Sequence, residues 1–341
     1  MYKRQVVNTS TSAQSATITV TPTYTNNGVI CSGNSEQFTI TVNPSAQVNG
    51  LADYNTILCD GEFTPVYSFS TANTDGLTTF NWTNNNLAIG LADSGEGGIP
   101  SFQVTNSTQS TISATITVTP SYQNNGIFCD GNAETFTITV NPSPEMDNVD
   151  DVVLCNNEIS SIIEFTTPNT DGNTTYTWTN DNTSIGLSST GNGDIPSFTA
   201  LNLSPITEVA TITVTPTYEN NGVVCIGDPQ TFSISVLSEI EITGTTVDAL
   251  DCNDPNSGNI NITVTGGSGV YDFLWSNGAI TEDLNNIGPG DYSVTVTDSE
   301  GCTAISQTFN IFRQDDLTVE LDTEIVPFCE NNLVTQENRI T

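Results

Sequence analysis

The chain has 341 residues, with 39 acidic side chains against 4 basic ones and no histidine, for a formal net charge of −35. That balance excludes nucleic acid as a partner, because binding it needs Lys and Arg to neutralise phosphates, and an anionic membrane surface is disfavoured for the same reason. Without histidine there is no His-based catalytic triad, and no apolar run approaches the ~20 residues of a membrane-spanning helix.

Ala16–Pro22 reads Ala-Thr-Ile-Thr-Val-Thr-Pro and recurs letter for letter at Ala114–Pro120 and Ala210–Pro216, offsets of 98 and 96 residues. A period this long is a whole domain, since solenoid and propeller repeats run ~20–50 residues. In chain order, residues 1–45 read as the C-terminal half of such a domain. They contain a strand at Ala16–Val20, a turn at Asn26-Asn27-Gly28 and a closing strand at Phe38–Val42. Complete copies follow at 46–143 and 144–238, closing at Phe136–Val140 and Phe232–Val236. In each closing strand Phe, Ile and Val alternate with Thr or Ser, the period-2 pattern of a sheet with one wet face. Asn124-Asn125-Gly126 and Asn220-Asn221-Gly222 are hairpin turn signals between paired strands.

Trp82, Trp178 and Trp275 occur once per unit and read as core aromatics packed between sheets. Thr74-Asp75-Gly76 and Thr170-Asp171-Gly172 read as turns, since they lack the staggered Asp/Asn array of a calcium loop. From 239 the pattern changes, and residues 239–313 form a shorter unit. Its Gly266-Gly267 run reads as a tight corner, because no Gly-Lys-Ser/Thr end follows to make a phosphate cradle. Residues 314–341 read as the start of a further, truncated domain. The expected fold is all-β: tandem immunoglobulin-like β-sandwich domains arranged as beads on a string.

Eight cysteines follow the units. Cys59 and Cys129 are 70 residues apart, as are Cys155 and Cys225, while Cys252 and Cys302 are 50 apart. Pairing within each unit leaves Cys31 and Cys329 over at the two ends, as expected of a fragment of a longer protein. A rival scheme joins neighbours, 31–59, 129–155, 225–252 and 302–329. The within-unit scheme is favoured on the expectation that both cysteines of a unit lie at one pole of the sandwich. Bridging consecutive units would then span roughly 30 Å, against the ~7 Å allowed between the Cα atoms of a disulfide. Cys59, Cys129, Cys155, Cys225, Cys252 and Cys302 are therefore the expected structural disulfide residues. Disulfides imply an oxidising, extracellular setting. No cofactor or catalytic residue is expected. Acidic segments such as Glu145–Asp151 are candidates for Ca²⁺ that would stiffen a rod of domains.

Residues 239–313 carry Gly-Gly-x-Gly-x-Tyr, Trp-Ser-Asn-Gly, Gly-x-Tyr-x-Val-x-Val-x-Asp and Gly-Cys in series, and resemble the short repeat named for the SprB gliding adhesin of flavobacteria. Residues 46–236, with the partial copy before them, resemble the PKD-like domains of the same phylum, the Bacteroidetes. Trp-Thr-Asn, Ile-Gly-Leu, Ile-Pro-Ser-Phe, Thr-Val-Thr-Pro, Cys and Asn-Pro carry that match. The resemblance implies immunoglobulin-like sandwiches in long surface proteins, exported by a type IX-like route and engaged in adhesion or gliding motility. The expected function is a non-catalytic stalk or adhesin segment at the bacterial cell surface. Its ligand would be an extracellular surface or a polysaccharide or glycan, bound by pole loops such as Ser94–Gly98 and Ser189–Asp194. The alternative is an accessory or carbohydrate-binding spacer of a secreted polysaccharide-degrading enzyme.

Overall fold

The computed structural model describes residues 6–249 and 254–313, whose regular secondary structure is almost wholly strand. The first four are β1 (Gln14–Val20), β2 (Thr23–Asn26), β3 (Val29–Ser32) and β4 (Glu36–Val42). β1 pairs antiparallel with β4, and β2 with β3, as two separate ribbons.

The next six strands form one sheet: β5 (Thr56–Cys59), β6 (Leu77–Asn84), β7 (Ser94–Glu96), β8 (Ile112–Asn124), β9 (Ile127–Asp130) and β10 (Glu134–Asn141). Their order is β5-β10-β8-β6-β7, with β9 on the far half of β8. All pairs are antiparallel except β5 with β10. A second layer, tied by bridges Phe63↔Gln103 and Tyr67↔Ile99, covers one face. Between the layers lie Tyr67, Trp82, Ile116, Val118, Phe136 and Ile138, all buried. Burial of each such side chain contributes about 1.5–3 kcal/mol, and the alternation of Ile and Val with Thr decides which face receives them.

The arrangement repeats in β11 (Val152–Leu154), β12 (Asn173–Asn180), β13 (Thr190–Asn192), β14 (Glu208–Asn220), β15 (Val223–Ile226) and β16 (Gln230–Val236), with the same strand order and the same single parallel pair, β11 on β16. Its core holds Trp178, Ile212, Val214, Phe232 and Ile234. The two tryptophans lie on glycines, and a Cβ at Gly95 or Gly191 would collide with the ring of Trp82 or Trp178. The expected turns are in place, with Asp75 and Asp171 at φ 66° and 67°, and Asn125 and Asn221 at φ 49° and 50°.

The last eight strands are β17 (Glu241–Val247), β18 (Gly258–Thr265), β19 (Tyr271–Trp275), β20 (Leu284–Ile287), β21 (Gly290–Tyr292), β22 (Val294–Asp298), β23 (Thr303–Ile305) and β24 (Phe309–Ile311). They form the sheets β17-β18-β20 and β19-β22-β23 and the ribbon β21-β24 around Trp275, Ile260, Val294 and Val296. Gly266 and Gly267 turn the corner at φ 86° and 55°. The fold is thus tandem, all-β and immunoglobulin-like.

Candidate functional site

Each long strand, β8 or β14, outruns its partner. β10 covers β8 from Ile112 to Val118, and β9 covers it from Ser121 to Asn124. The changeover falls at Pro120, whose carbonyl accepts the Gly131 N–H at 2.9 Å; Pro216 and Gly227 repeat it. A proline has no N–H to give a ladder, so it sits where one neighbouring strand ends and another begins. The projecting hairpin of one unit reaches back to the exit end of the unit before it.

The cysteines occupy those two places. Cys59 ends β5, which runs parallel to β10 and places Cys59 opposite Asn141, at the exit end. Cys129 pairs with Tyr122 near the tip of the entry hairpin. Ten residues of β8, from Ile112 to Tyr122, separate those levels, roughly 33 Å at ~3.3 Å per residue. A bond between Cys59 and Cys129 is geometrically excluded, and by the same reasoning so is one between Cys155 and Cys225. The disulfides instead join consecutive units: Cys59–Cys225 with Cα atoms 5.6 Å apart, and Cys155–Cys302 at 5.5 Å. This corrects the within-unit expectation for Cys59, Cys129, Cys155, Cys225 and Cys302, and it also excludes the neighbour scheme. The error lay in placing both cysteines of a unit at one pole; the parallel β5–β10 pair puts them at opposite poles. Cys129 and Cys31 are free thiols. Cys252, Cys329 and residues 314–341 lie outside the described residues.

Around Cys59–Cys225 the junction is polar. The Tyr218 hydroxyl donates to the Thr170 carbonyl at 2.9 Å and lies 3.1 Å from the Thr111 hydroxyl of the preceding unit. Asn220 Nδ2 donates to Thr111 Oγ1 at 2.7 Å, and Asn141 Nδ2 donates to the Asn220 carbonyl at 3.5 Å. The Thr170 N–H donates to the Gln109 carbonyl at 2.8 Å, and Gln109 Nε2 to Glu145 Oε2 at 2.9 Å. The junction before it repeats part of this set: Thr74 N–H to the Thr11 carbonyl at 2.8 Å and Asn43 Nδ2 to the Asn124 carbonyl at 3.3 Å.

Around Cys155–Cys302 the junction is apolar. Leu237, Ile240 and Cys302 are buried in the core of the last unit, with Cys155 packed against it. Asp298, itself buried, fixes the Cys302 turn: its carboxylate accepts the N–H groups of Cys302, Glu300 and Ser268 at 2.8, 3.0 and 2.8 Å. Cys59 and Cys155 are held alike, each N–H donating to a glutamate three residues on, Glu62 or Glu158, at 2.8 Å.

The remaining candidate surfaces are clefts. One of about 590 Å³ lies beside the last junction, with Asn156, Asn202, Leu203 and Glu241 in its wall, and one of about 400 Å³ lies beside Trp178 and Thr190–Asn192. Ser94–Glu96 and Thr190–Asn192 are edge strands paired with Thr83–Asn81 and Thr179–Thr177, not loops at the poles. The four acids of Glu145–Asp151 have separate partners: Glu145 accepts from Gln109, Asp147 from the Thr166 hydroxyl at 2.6 Å, Asp150 from Asn148 Nδ2 at 3.5 Å and Asp151 from the Ser233 N–H at 2.7 Å. Among the described residues no three His, Cys, Asp or Glu side chains gather to hold a metal ion, and no helix is long and apolar enough to cross a membrane.

Residues 243–280 match the SprB repeat family. No curated protein matches the chain. Solved structures with a similar arrangement include mouse cadherin-23 EC22–24, at 12% identity and TM-score 0.34 over 79% of this chain and 99% of that one. Extracellular domains 3–5 of Drosophila OTK give 10% and 0.29 over 76% and 94%. Drosophila N-cadherin EC1–4 gives 14% and 0.28 over 88% and 83%.

Proposed function

We propose that this chain is a non-catalytic spacer in an extracellular, adhesin-type surface protein, a rod of sandwich units held at fixed reach by disulfides that tie each unit to the next. The units of this reading are 46–143, 144–238 and 239–313. The observation that carries it is the interlacing of the two bridges: Cys155 lies inside the loop closed by Cys59–Cys225, and Cys225 inside the loop closed by Cys155–Cys302. A chain built for one active site has no need of such cross-links, whereas a stalk under tension is limited by them. The SprB repeat at 243–280 and the oxidising setting that disulfides require support placement at the bacterial cell surface, with a type IX-like export route and a role in gliding or adhesion. Glycans or polysaccharides at the clefts beside Trp178 and the last junction are the ligands this reading favours.

Stretching single molecules tests the spacer. From Cys59 to Cys302 the chain runs 243 residues, but with both bridges closed the shortest covalent path uses only the 70 residues between Cys155 and Cys225. At ~3.5 Å per extended residue, full unfolding of this stretch yields about 245 Å when oxidised and about 850 Å when reduced. A contour length that does not change on reduction overturns the reading.

A further inference from the structure

One loop is built alike in both complete units and used differently. Asn106 Nδ2 holds it in the first, donating to the Ser110 and Val140 carbonyls at 2.9 Å, and Asn202 Nδ2 holds it in the second, donating to the Ile206 and Val236 carbonyls at 2.8 Å. In the first unit the loop is committed to the next one. Gln109 donates to Glu145 and accepts from Asn169 Nδ2 and the Thr170 N–H. Behind it Asp60 closes the seam by accepting the Ser143 hydroxyl at 2.8 Å. In the second unit Leu203 stands where Ser107 does, Pro205 where Gln109 does, Asn156 where Asp60 does and Glu239 where Ser143 does. These four side chains make no hydrogen bond across the junction to the last unit among the described residues.

The seam is therefore open there, as the cleft of about 590 Å³. Leu203, 88% exposed, and Pro205 give it an apolar wall. Glu239 and Glu241 also line it, both exposed, their carboxylates without a hydrogen-bond or ion-pair partner among the described residues. Ser238 lines it too and is only 6% exposed, yet its hydroxyl has no partner among the described residues. Buried polar groups are as a rule hydrogen-bonded, so this hydroxyl points to a ligand atom. Asn156 accepts the Asn202 N–H at 2.8 Å through Oδ1, leaving its Nδ2 protons unused. The Cys155–Cys302 bond, adjoining Asn156, clamps the two sides of the cleft.

We propose that this cleft binds a short run of amine-bearing sugars, a deacetylated amino-sugar chain. The C–H face of a sugar ring packs on Leu203 and Pro205, its ammonium group meets the Glu239 and Glu241 carboxylates, and its hydroxyls satisfy Ser238 and Asn156. The cleft has the ~300–1,000 Å³ of a small-ligand site, which suits an oligosaccharide better than a folded partner. The cleft beside Trp178 has no charged side chain in its wall and does not share this preference. The assignment rests on the glycan reading of the last junction given above and names the class of glycan.

The full chain, disulfides intact, is titrated with a β-1,4-linked glucosamine trimer, its N-acetylated form and trilysine, at about pH 6, where glutamates are ionised and amines protonated. The expected result is saturable binding of the glucosamine trimer, roughly tenfold tighter than of the other two, the scale of a charge-assisted hydrogen bond. Glu239→Gln with Glu241→Gln should weaken it roughly tenfold. Asp228→Asn with Glu282→Gln, which removes the same charge from exposed acids outside the cleft wall, should weaken it less than twofold. Equal losses in the two double variants would show attraction to the acidic chain at large and overturn the proposal. Trilysine binding as tightly would overturn it in favour of a basic peptide, and the N-acetylated trimer binding as tightly would strike the amine while leaving a glycan site. Absence of binding by all three would overturn it while leaving the spacer, which the stretched length tests separately.

Discussion

Asn55 and Asp151 do the same work in consecutive units. Asn55 Oδ1 accepts the Thr137 N–H at 2.8 Å and Asp151 Oδ1 accepts the Ser233 N–H at 2.7 Å, each pinning a loop to the closing strand. The Ser233 N–H, helped by the Ser233 hydroxyl, holds the Asp151 carboxyl below its ordinary 3.8. A carboxylate lowered in the folded state contributes stability above its unfolded value and loses it as pH falls through the folded one. Melting wild type beside Asp151→Asn should therefore show a gap in favour of wild type at pH 5–6 that narrows below about pH 4. A gap that stays constant down to pH 2 would show that the carboxylate charge has no part in it. At this scale the sequence was readable where a residue's role is local. Trp82, Trp178 and Trp275 are core residues, and the Asp-Gly and Asn-Gly pairs are turns. The glycines beneath the tryptophans were not readable, because Gly95 and Gly191 earn their places from rings thirteen residues upstream.

At the scale of elements, the decisive feature is a strand of 13 residues, Ile112–Asn124, with its copy Glu208–Asn220. Its alternation was plain in the sequence, but Pro120 and Pro216 look like strand ends, which hides how far the hairpin projects. The three- and four-residue strands that carry the cysteines to the exit pole, Val152–Leu154 and Thr56–Cys59, are too short to announce a parallel pairing, and the disulfide scheme turned on that pairing. The projecting hairpin also carries Tyr218, whose hydroxyl touches Thr170 within its unit and Thr111 across the junction. Tyr218→Phe should cost about 0.5–1.5 kcal/mol by removing hydrogen bonds that are only partly buried, with a double-mutant cycle against Thr111→Val giving coupling of about 0.5–1.5 kcal/mol. The Tyr122 hydroxyl donates to the Thr74 carbonyl of its own unit at 2.9 Å, and Ala13, which has no hydroxyl, stands where Thr111 does in the next copy, so Tyr122→Phe should disturb its junction less than Tyr218→Phe disturbs the next. No measurable Tyr218–Thr111 coupling in chemical denaturation would contradict this account of the seam.

For the whole molecule, the acidic excess and the cross-links point the same way. A net charge of −35 repels between neighbouring surfaces within a Debye length of ~10 Å at 0.1 M salt and discourages association. The two bridged junctions are hydrogen bonds, one of them to the Glu145 carboxylate, or apolar packing, each closed by a covalent bond. Beads on a string describe the cores well, since each sandwich buries its own. They miss the string, because the covalent path runs between beads as well as along them. Mass mapping of the unreduced, digested protein tests this most directly. The account predicts linked peptides joining Cys59 to Cys225 and Cys155 to Cys302, with Cys129 recovered as a thiol. Linked peptides joining Cys59 to Cys129 and Cys155 to Cys225 would contradict it and return the chain to a row of independently closed domains.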